Sequence, residues 1–562
     1  MTRRDALVVF LLGAVLVALV GAIGYPALLP AATPAPSPTA AADLVFREGI
    51  VGQPGSVSPV GARTQADRDI VALAFRGLVR LGPGEELLPD LAERWTVTDK
   101  GRTWTFVLRS DARWQDGHPV TAADVVFTAR VLRDPAIVGP QGGTWRQVTA
   151  TALDDRTVRL ELETPLGGFL HAALQPLLPA HLLRDIPVEA LADDPFWRSP
   201  IGSGSFRLVT WDEQVALLEP VLGSSETGSG WLASLGPREP GTAPMPLLPR
   251  VELHFYPDSA ALAAAYRAGE VDAASGLAAG EAMGLLDVVG TRIIRYPGVT
   301  LTSVTLNLRP ANPALADERV RRALLGAIDR DALVRQVVAG LGTRADSPVP
   351  PSSWAFDAAA AAPVAYSRPA ATAALRKASW KKLAGGWAAP GATKPYVLDL
   401  ITPEATSNPV ARATATQVVQ AWTALGFDAR VSELPAAEFV DRLQAGQFTA
   451  ALVDVSIGLD PDLYPLLAST QARADGSNVS GIQDPALDAA LSAARGAVAM
   501  ETRKQAYARL EQLLAISQPI LPLFFRDILY VASDRLAGPA SRPIADPSGR
   551  YWDVLTWRAA GR

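Results

Sequence analysis

The chain of 562 residues contains no cysteine. That absence excludes disulfides, a thiolate nucleophile, thiolate metal ligands and lipid attachment through a cysteine. Histidine is scarce. The four present, His118, His171, His181 and His254, include no i, i+4 pair of the kind that grips a metal from one helix face. Each reads as a structural or surface histidine. An excess of basic charge is also missing. Lys and Arg number 52 against 57 Asp and Glu, a net charge of −5, which gives no cationic field for nucleic acid. The motifs of common enzymes are missing too. Gly202-Ser203-Gly204-Ser205 lacks the spacing of a G-x-S-x-G elbow, and there is no H-E-x-x-H, no P-loop and no G-x-G-x-x-G after a strand. No nucleophile and base are marked out, so the expectation is a protein that is not an enzyme and needs no cofactor and no metal.

What is present is ample apolar material. Hydrophobic residues make up 49% and charged residues 19%, a globular composition. The length exceeds one ordinary domain, so at least two lobes are expected. At the N-terminus, Arg3 and Arg4 precede an uncharged run from Ala6 to Ile23. As a helix it would be about 27 Å long, close to the apolar thickness of a bilayer. Residues 1–30 therefore read as a membrane anchor or a signal peptide, the arginines staying cytoplasmic and the remainder being exported. Ala40-Ala41-Ala42 could serve a signal peptidase, but they lie far beyond the apolar run. Residues 31–43 form a proline- and alanine-rich linker.

From residue 44 the pattern is α/β. Alternation puts Trp104, Phe106 and Leu108 on one face of a strand, and Val158, Leu160 and Leu162 on one face of another. Val251, Leu253 and Phe255 repeat it. Residues 319–339 carry a helical stripe, Val320, Leu324, Ile328, Leu333 and Val337, with Asp317 as N-cap and Gly340 as the terminal glycine. Residues 396–433 read as strand, helix, strand, with Gly426 closing the helix, so a parallel pair in a doubly wound sheet is expected. Leu510, Leu513 and Leu514 mark a helix that ends before Pro519. Two stretches read as loops or insertions: 223–250, rich in glycine, serine and proline, and 358–374, rich in alanine with Pro363 and Pro369.

Residues 73–135 hold an ordered series: Gly77-Leu78-Val79, Pro89-Asp90-Leu91-Ala92, Trp95, Trp104, Trp114, Asp116-Gly117, Pro119-Val120-Thr121-Ala122 and Asp124-Val125. Physically, Asp116-Gly117 is a tight turn, and Thr121 with Asp124 is a capping box that starts a helix. Further on come Pro200 to Phe206, Gly269-Glu270-Val271-Asp272, Asn307-Leu308, Arg319 to Arg330, Ser347 to Pro351, and Asp460-Pro461-Asp462 with Tyr464. In this order, over about residues 44–535, the chain resembles the dipeptide-, oligopeptide- and nickel-binding receptors of ABC importers, family 5 of the extracellular solute-binding proteins.

The resemblance implies a two-lobed, periplasmic-binding-protein-like fold of type II, cluster C, with an extra inserted domain and a ligand cleft between the lobes. Lobe I would comprise 44–70, 199–295 and 515–562, with 71–198 as its inserted subdomain; lobe II would be 296–514. The protein would bind a peptide or other small solute outside the cytoplasm, at the cell surface or in the periplasm. It would deliver the solute to an ABC permease as a monomer tethered by its N-terminal helix. A tethered sensor or regulator with the same fold is the alternative. In peptide-binding members a carboxylate just before the acidic turn holds the peptide's α-ammonium. That position falls at or near Ile457 here, so either Asp454 or Asp460 substitutes, or the ligand has no free α-amine. Asp462, Tyr464 and Trp354 complete the ligand-contact candidates. Trp380, Trp387 and Trp422 are further candidates for pocket walls, Trp422 lying on a core stripe.

Overall fold

In the computed structural model, residues 45–137, 142–221, 248, 250–406 and 408–560 are described. The membrane segment and linker expected over 1–43, and all of 223–250 except Leu248 and Arg250, lie outside them. Among the described residues no helix is long and apolar enough to cross a membrane.

Alternating strands build three main sheets. Thr103–Leu108 and Thr157–Leu162, each with every second residue buried, pair antiparallel inside a four-stranded sheet completed by Ala92–Thr98 and Val148–Ala152. A seven-stranded sheet is centred on Phe46–Val51, which runs parallel to both neighbours, Val251–Tyr256 and Ala273–Ser275. Phe46, Glu48 and Ile50, which share one face of this strand, are all fully buried. A six-stranded sheet has the order Gly342–Arg344, Ile520–Arg526, Thr300–Leu306, Ala450–Ser456, Val397–Pro403, Asp428–Leu434. Its last pair is parallel and joined by the helix Pro409–Leu425, which ends in Gly426 at φ 100°, as the sequence pattern requires.

The core of the four-stranded sheet is continuous with one face of the seven-stranded sheet. The second lobe has its own apolar clusters on the two faces of the six-stranded sheet. The chain passes between the two large sheets at two neighbouring places. One is Pro297-Gly298-Val299, between strands Thr291–Tyr296 and Thr300–Leu306. The other is Asp527, between Ile520–Arg526 and Ile528–Ser533. The two crossings touch: a Cβ on Gly298 would lie 2.1 Å from the Arg526 carbonyl oxygen, and the Arg295 Nε donates to Asp527 Oδ2 at 2.7 Å.

Three expectations need correction. The boundary at 515 is too early, because Ile520–Arg526 pairs with Thr300–Leu306 in the second lobe, and the return to the first lobe falls at Asp527. The stripe over 319–339 is two helices, Glu318–Gly326 and Arg330–Val337, because Asp329 caps a second start by accepting from the Ala332 amide. The stretch 358–374 is no plain loop: it holds the short helix Ala358–Ala361 and most of Arg368–Lys377, with Pro369 in the first turn of the latter.

Candidate functional site

The helix Met500–Ser517 carries Arg503, Tyr507, Leu510 and Leu514 on its buried side. An arginine on an apolar stripe needs a partner, since an uncompensated buried charge is costly. The partner is Asp460. Arg503 Nη1 and Nη2 donate to its two carboxylate oxygens at 2.7 and 2.6 Å, with side-chain exposures of 5% and 9%. The guanidinium carbon lies 4.5 Å from the Trp354 ring centroid, and the Tyr507 hydroxyl donates to the Pro461 carbonyl at 2.7 Å. Beside this pair, Asp462 meets Arg495 at 3.2 Å and accepts from the Tyr464 amide at 3.1 Å, while Arg495 sits 4.9 Å from the Tyr464 ring centroid. Burial pushes the Asp462 carboxyl up despite the Arg495 charge.

Residues of the inserted subdomain close over this cluster. The Gly167 amide donates to the Arg495 carbonyl at 2.9 Å, and a Cβ on Gly168 would lie 2.6 Å from the Asp460 carboxylate. His171 Nδ1 is 3.5 Å from Asp460 Oδ2, and burial holds the imidazole below its usual pKa. Glu85 accepts from the Trp354 amide at 2.9 Å, and burial pushes its carboxyl up too. The surface is therefore a polar latch between the inserted subdomain and the second lobe, built on the Asp460–Arg503 and Asp462–Arg495 pairs.

Four of the six candidates read from the sequence, Asp460, Asp462, Tyr464 and Trp354, meet at this latch. Asp454 lies elsewhere, on the strand Ala450–Ser456 next to the crossing at Arg526-Asp527. It accepts from Thr302 Oγ1 at 2.6 Å, Asn408 Nδ2 at 3.1 Å and Arg526 Nη2 at 2.8 Å. Ile457 is 7% exposed, in an apolar cluster with Leu301 and Leu463, and its amide donates to the Val299 carbonyl. Trp380, Trp387 and Trp422 are not pocket walls: all three are buried core residues of the second lobe. The sequence reading missed Arg503, Arg495, Arg526 and the Gly167-Gly168 pair. The signal for Arg503 was there, since positions 503, 507, 510 and 514 share one helical face. A cavity of about 750 Å³ lined by residues 331–363 lies wholly in the second lobe at its edge strand and includes none of the six candidates.

Residues 86–477 match the family described as bacterial extracellular solute-binding proteins, family 5. The oligopeptide-binding protein AppA of Bacillus subtilis is 24% identical over 520 residues, 91% of each chain. The probable deoxycholate-binding periplasmic protein YgiS of Escherichia coli is 30% identical over 358 residues, 59% of this chain and 61% of its own. Among solved structures, HbpA2 from Haemophilus parasuis superposes with a TM-score of 0.74 at 21% identity, covering 92% of this chain and 100% of that one. NikZ from Campylobacter jejuni, in complex with Ni(L-His), gives 0.70 at 23% identity, covering 92% and 99%. At these identities the superpositions speak for the two-lobed fold.

Proposed function

The chain belongs to the family 5 bacterial extracellular solute-binding proteins, and from that premise we propose that it closes its two lobes over a small solute and hands it unchanged to an ABC-type importer. The relatives named for peptides and for an ABC transporter support the importer as partner. Closure is a hinge motion about the paired crossings at Gly298 and Asp527, and affinity comes from excluding water around a few placed polar groups. The protein acts outside the cytoplasm as a monomer, held to the membrane by residues 1–30.

The solute class is narrower than "peptide". A free α-ammonium in a closed cleft needs a carboxylate with spare charge. Asp460 already carries a bidentate arginine, Asp462 faces Arg495, Asp454 receives Arg526, and Ile457 is apolar. The ligand is therefore a solute that is not anchored through a free α-amine. The Asp460–Arg503 pair is the observation that carries this reading.

Native mass spectrometry of freshly purified full-length protein, followed by calorimetry with the recovered compound, tests it. One bound solute, retained without turnover, is the expected result. Chemical conversion of the solute, or no saturable binding of any recovered compound, overturns the receptor reading. Recovery of short peptides with free α-amines overturns only the narrower one. N-terminal sequencing of the native product checks the anchor, and a start near Ala41 would refute it.

A further inference from the structure

His118 and His181 lie far apart in the sequence, yet their rings stack with centroids 4.4 Å apart and planes at 27°. Both reach one carboxylate: His181 Nε2 is 2.8 Å and His118 Nδ1 is 3.2 Å from Asp116 Oδ2. The three ligating atoms all lie within 4.8 Å of one another, the one such grouping of three among the described residues. We propose that Asp116, His118 and His181 form a binding site for a divalent transition cation, zinc foremost, on the inserted subdomain.

The donor set is the borderline-hard one that such ions take, with imidazole and carboxylate and no thiolate. Ligand atoms around a tetrahedral zinc stand about 3.3 Å apart, so the His181 contact at 2.8 Å needs to open by about half an ångström and the His118 contact at 3.2 Å hardly moves. His118 is 62% exposed, which leaves the cation open to solvent on one side, with water completing its shell. Among the described residues no arginine or lysine pairs with Asp116.

The scaffold beneath is built, and one buried carboxylate builds it. Asp124 Oδ2 accepts from the Thr121 amide at 2.8 Å and lies 3.4 Å from Trp114 Nε1, which pins the hairpin that presents Asp116 and His118. Its Oδ1 accepts at 2.8 Å from the amide of Ala180, the residue before His181. The hairpin turns at Gly117, φ 91°, and closes with the Trp114 amide on the His118 carbonyl at 2.8 Å. Asp116 Oδ1 accepts from the His118 amide at 3.0 Å, so the outer oxygen orients the carboxylate and Oδ2 is left for the cation. Sequence spacing hides this site because the ligands come from a turn and from a separate short helix. It shares no residue with the interlobe latch and does not depend on the solute reading.

Titrating untagged full-length protein with zinc chloride by calorimetry tests the proposal. The expected result is one saturable site at 1:1 stoichiometry, with affinity reduced at least tenfold in His118→Asn and, separately, in His181→Asn, and with melting temperatures of the metal-free variants unchanged. Crystals soaked in zinc chloride should show an anomalous peak between the three side chains. Absence of saturable binding overturns the proposal. So does binding that both variants retain, or a peak that falls elsewhere.

Discussion

Arg550 has 1% of its side chain exposed and binds three distant segments together. Its Nε donates to Glu48 Oε1 on the central strand, and its two terminal nitrogens donate to Asp69 on the helix Gln65–Ala74, each at 2.8 Å. The Tyr551 hydroxyl donates to the second Glu48 oxygen at 2.9 Å. Removing the guanidinium strands two buried carboxylates, so Arg550→Met should cost about 3–5 kcal/mol in urea unfolding. Adding Glu48→Gln and Asp69→Asn to that variant should recover much of the loss, because the uncompensated charge goes with them. Glu511 supplies a test by pH. Burial pushes its carboxyl up from 4.5 to about 7, while Oε2 accepts from the Asp357 amide at 2.6 Å. Below pH 4.5 the folded and unfolded chains both hold the proton; between there and about 7 only the unfolded chain releases it. Stability therefore falls as pH rises across that window and levels off above it. In Glu511→Gln this slope should vanish, so thermal midpoints of variant and wild type should diverge from about pH 5 to about pH 7 and then run parallel.

Among elements, the crossing at Pro297-Gly298-Val299 is tightly constrained. Gly298 has no room for a methyl group against the Arg526 carbonyl, whereas a Cβ on the surface residue Gly55 would meet nothing within 4 Å. Gly298→Ala should push the two crossings apart and lower the thermal midpoint by several degrees, with Gly55→Ala as the neutral control. Elements made by neighbours in sequence were legible. The Thr121–Asp124 capping box, the alternating strand Thr103–Leu108 and the αL glycine at 426 all appear where local pattern puts them. The strand Ile520–Arg526 could not be assigned to a lobe in the same way. Nearly every residue in it is buried, so it has no alternation to show a face, and only its pairing with Thr300–Leu306 reveals which sheet it joins.

At the scale of the molecule, the proposed closure of the lobes is tested at the latch. Gly168 lets the inserted subdomain approach Asp460 because it has no side chain. Gly168→Val should hold the subdomain off the second lobe. The expected outcome is solute affinity down at least tenfold and a larger radius of gyration by solution scattering with solute present, while circular dichroism and the folding of each lobe stay as in wild type. An unchanged radius together with unchanged affinity would mean that closure does not pass through this contact.

The sequence by itself determined the strands, the caps, the order of elements and hence the family and its two lobes, because each depends on periodicities and turn residues within a few positions. Only the tertiary structure decided which charges meet: Asp460 with Arg503, Asp454 with Arg526, Arg550 with Glu48 and Asp69, and His118 with His181 over Asp116. The physical reason is that an ion pair or a ligand cluster leaves no periodic trace in the chain. Its members are brought together by the packing of sheets and helices far apart in sequence, and burial then decides whether a carboxylate is spent on an arginine or left for something else.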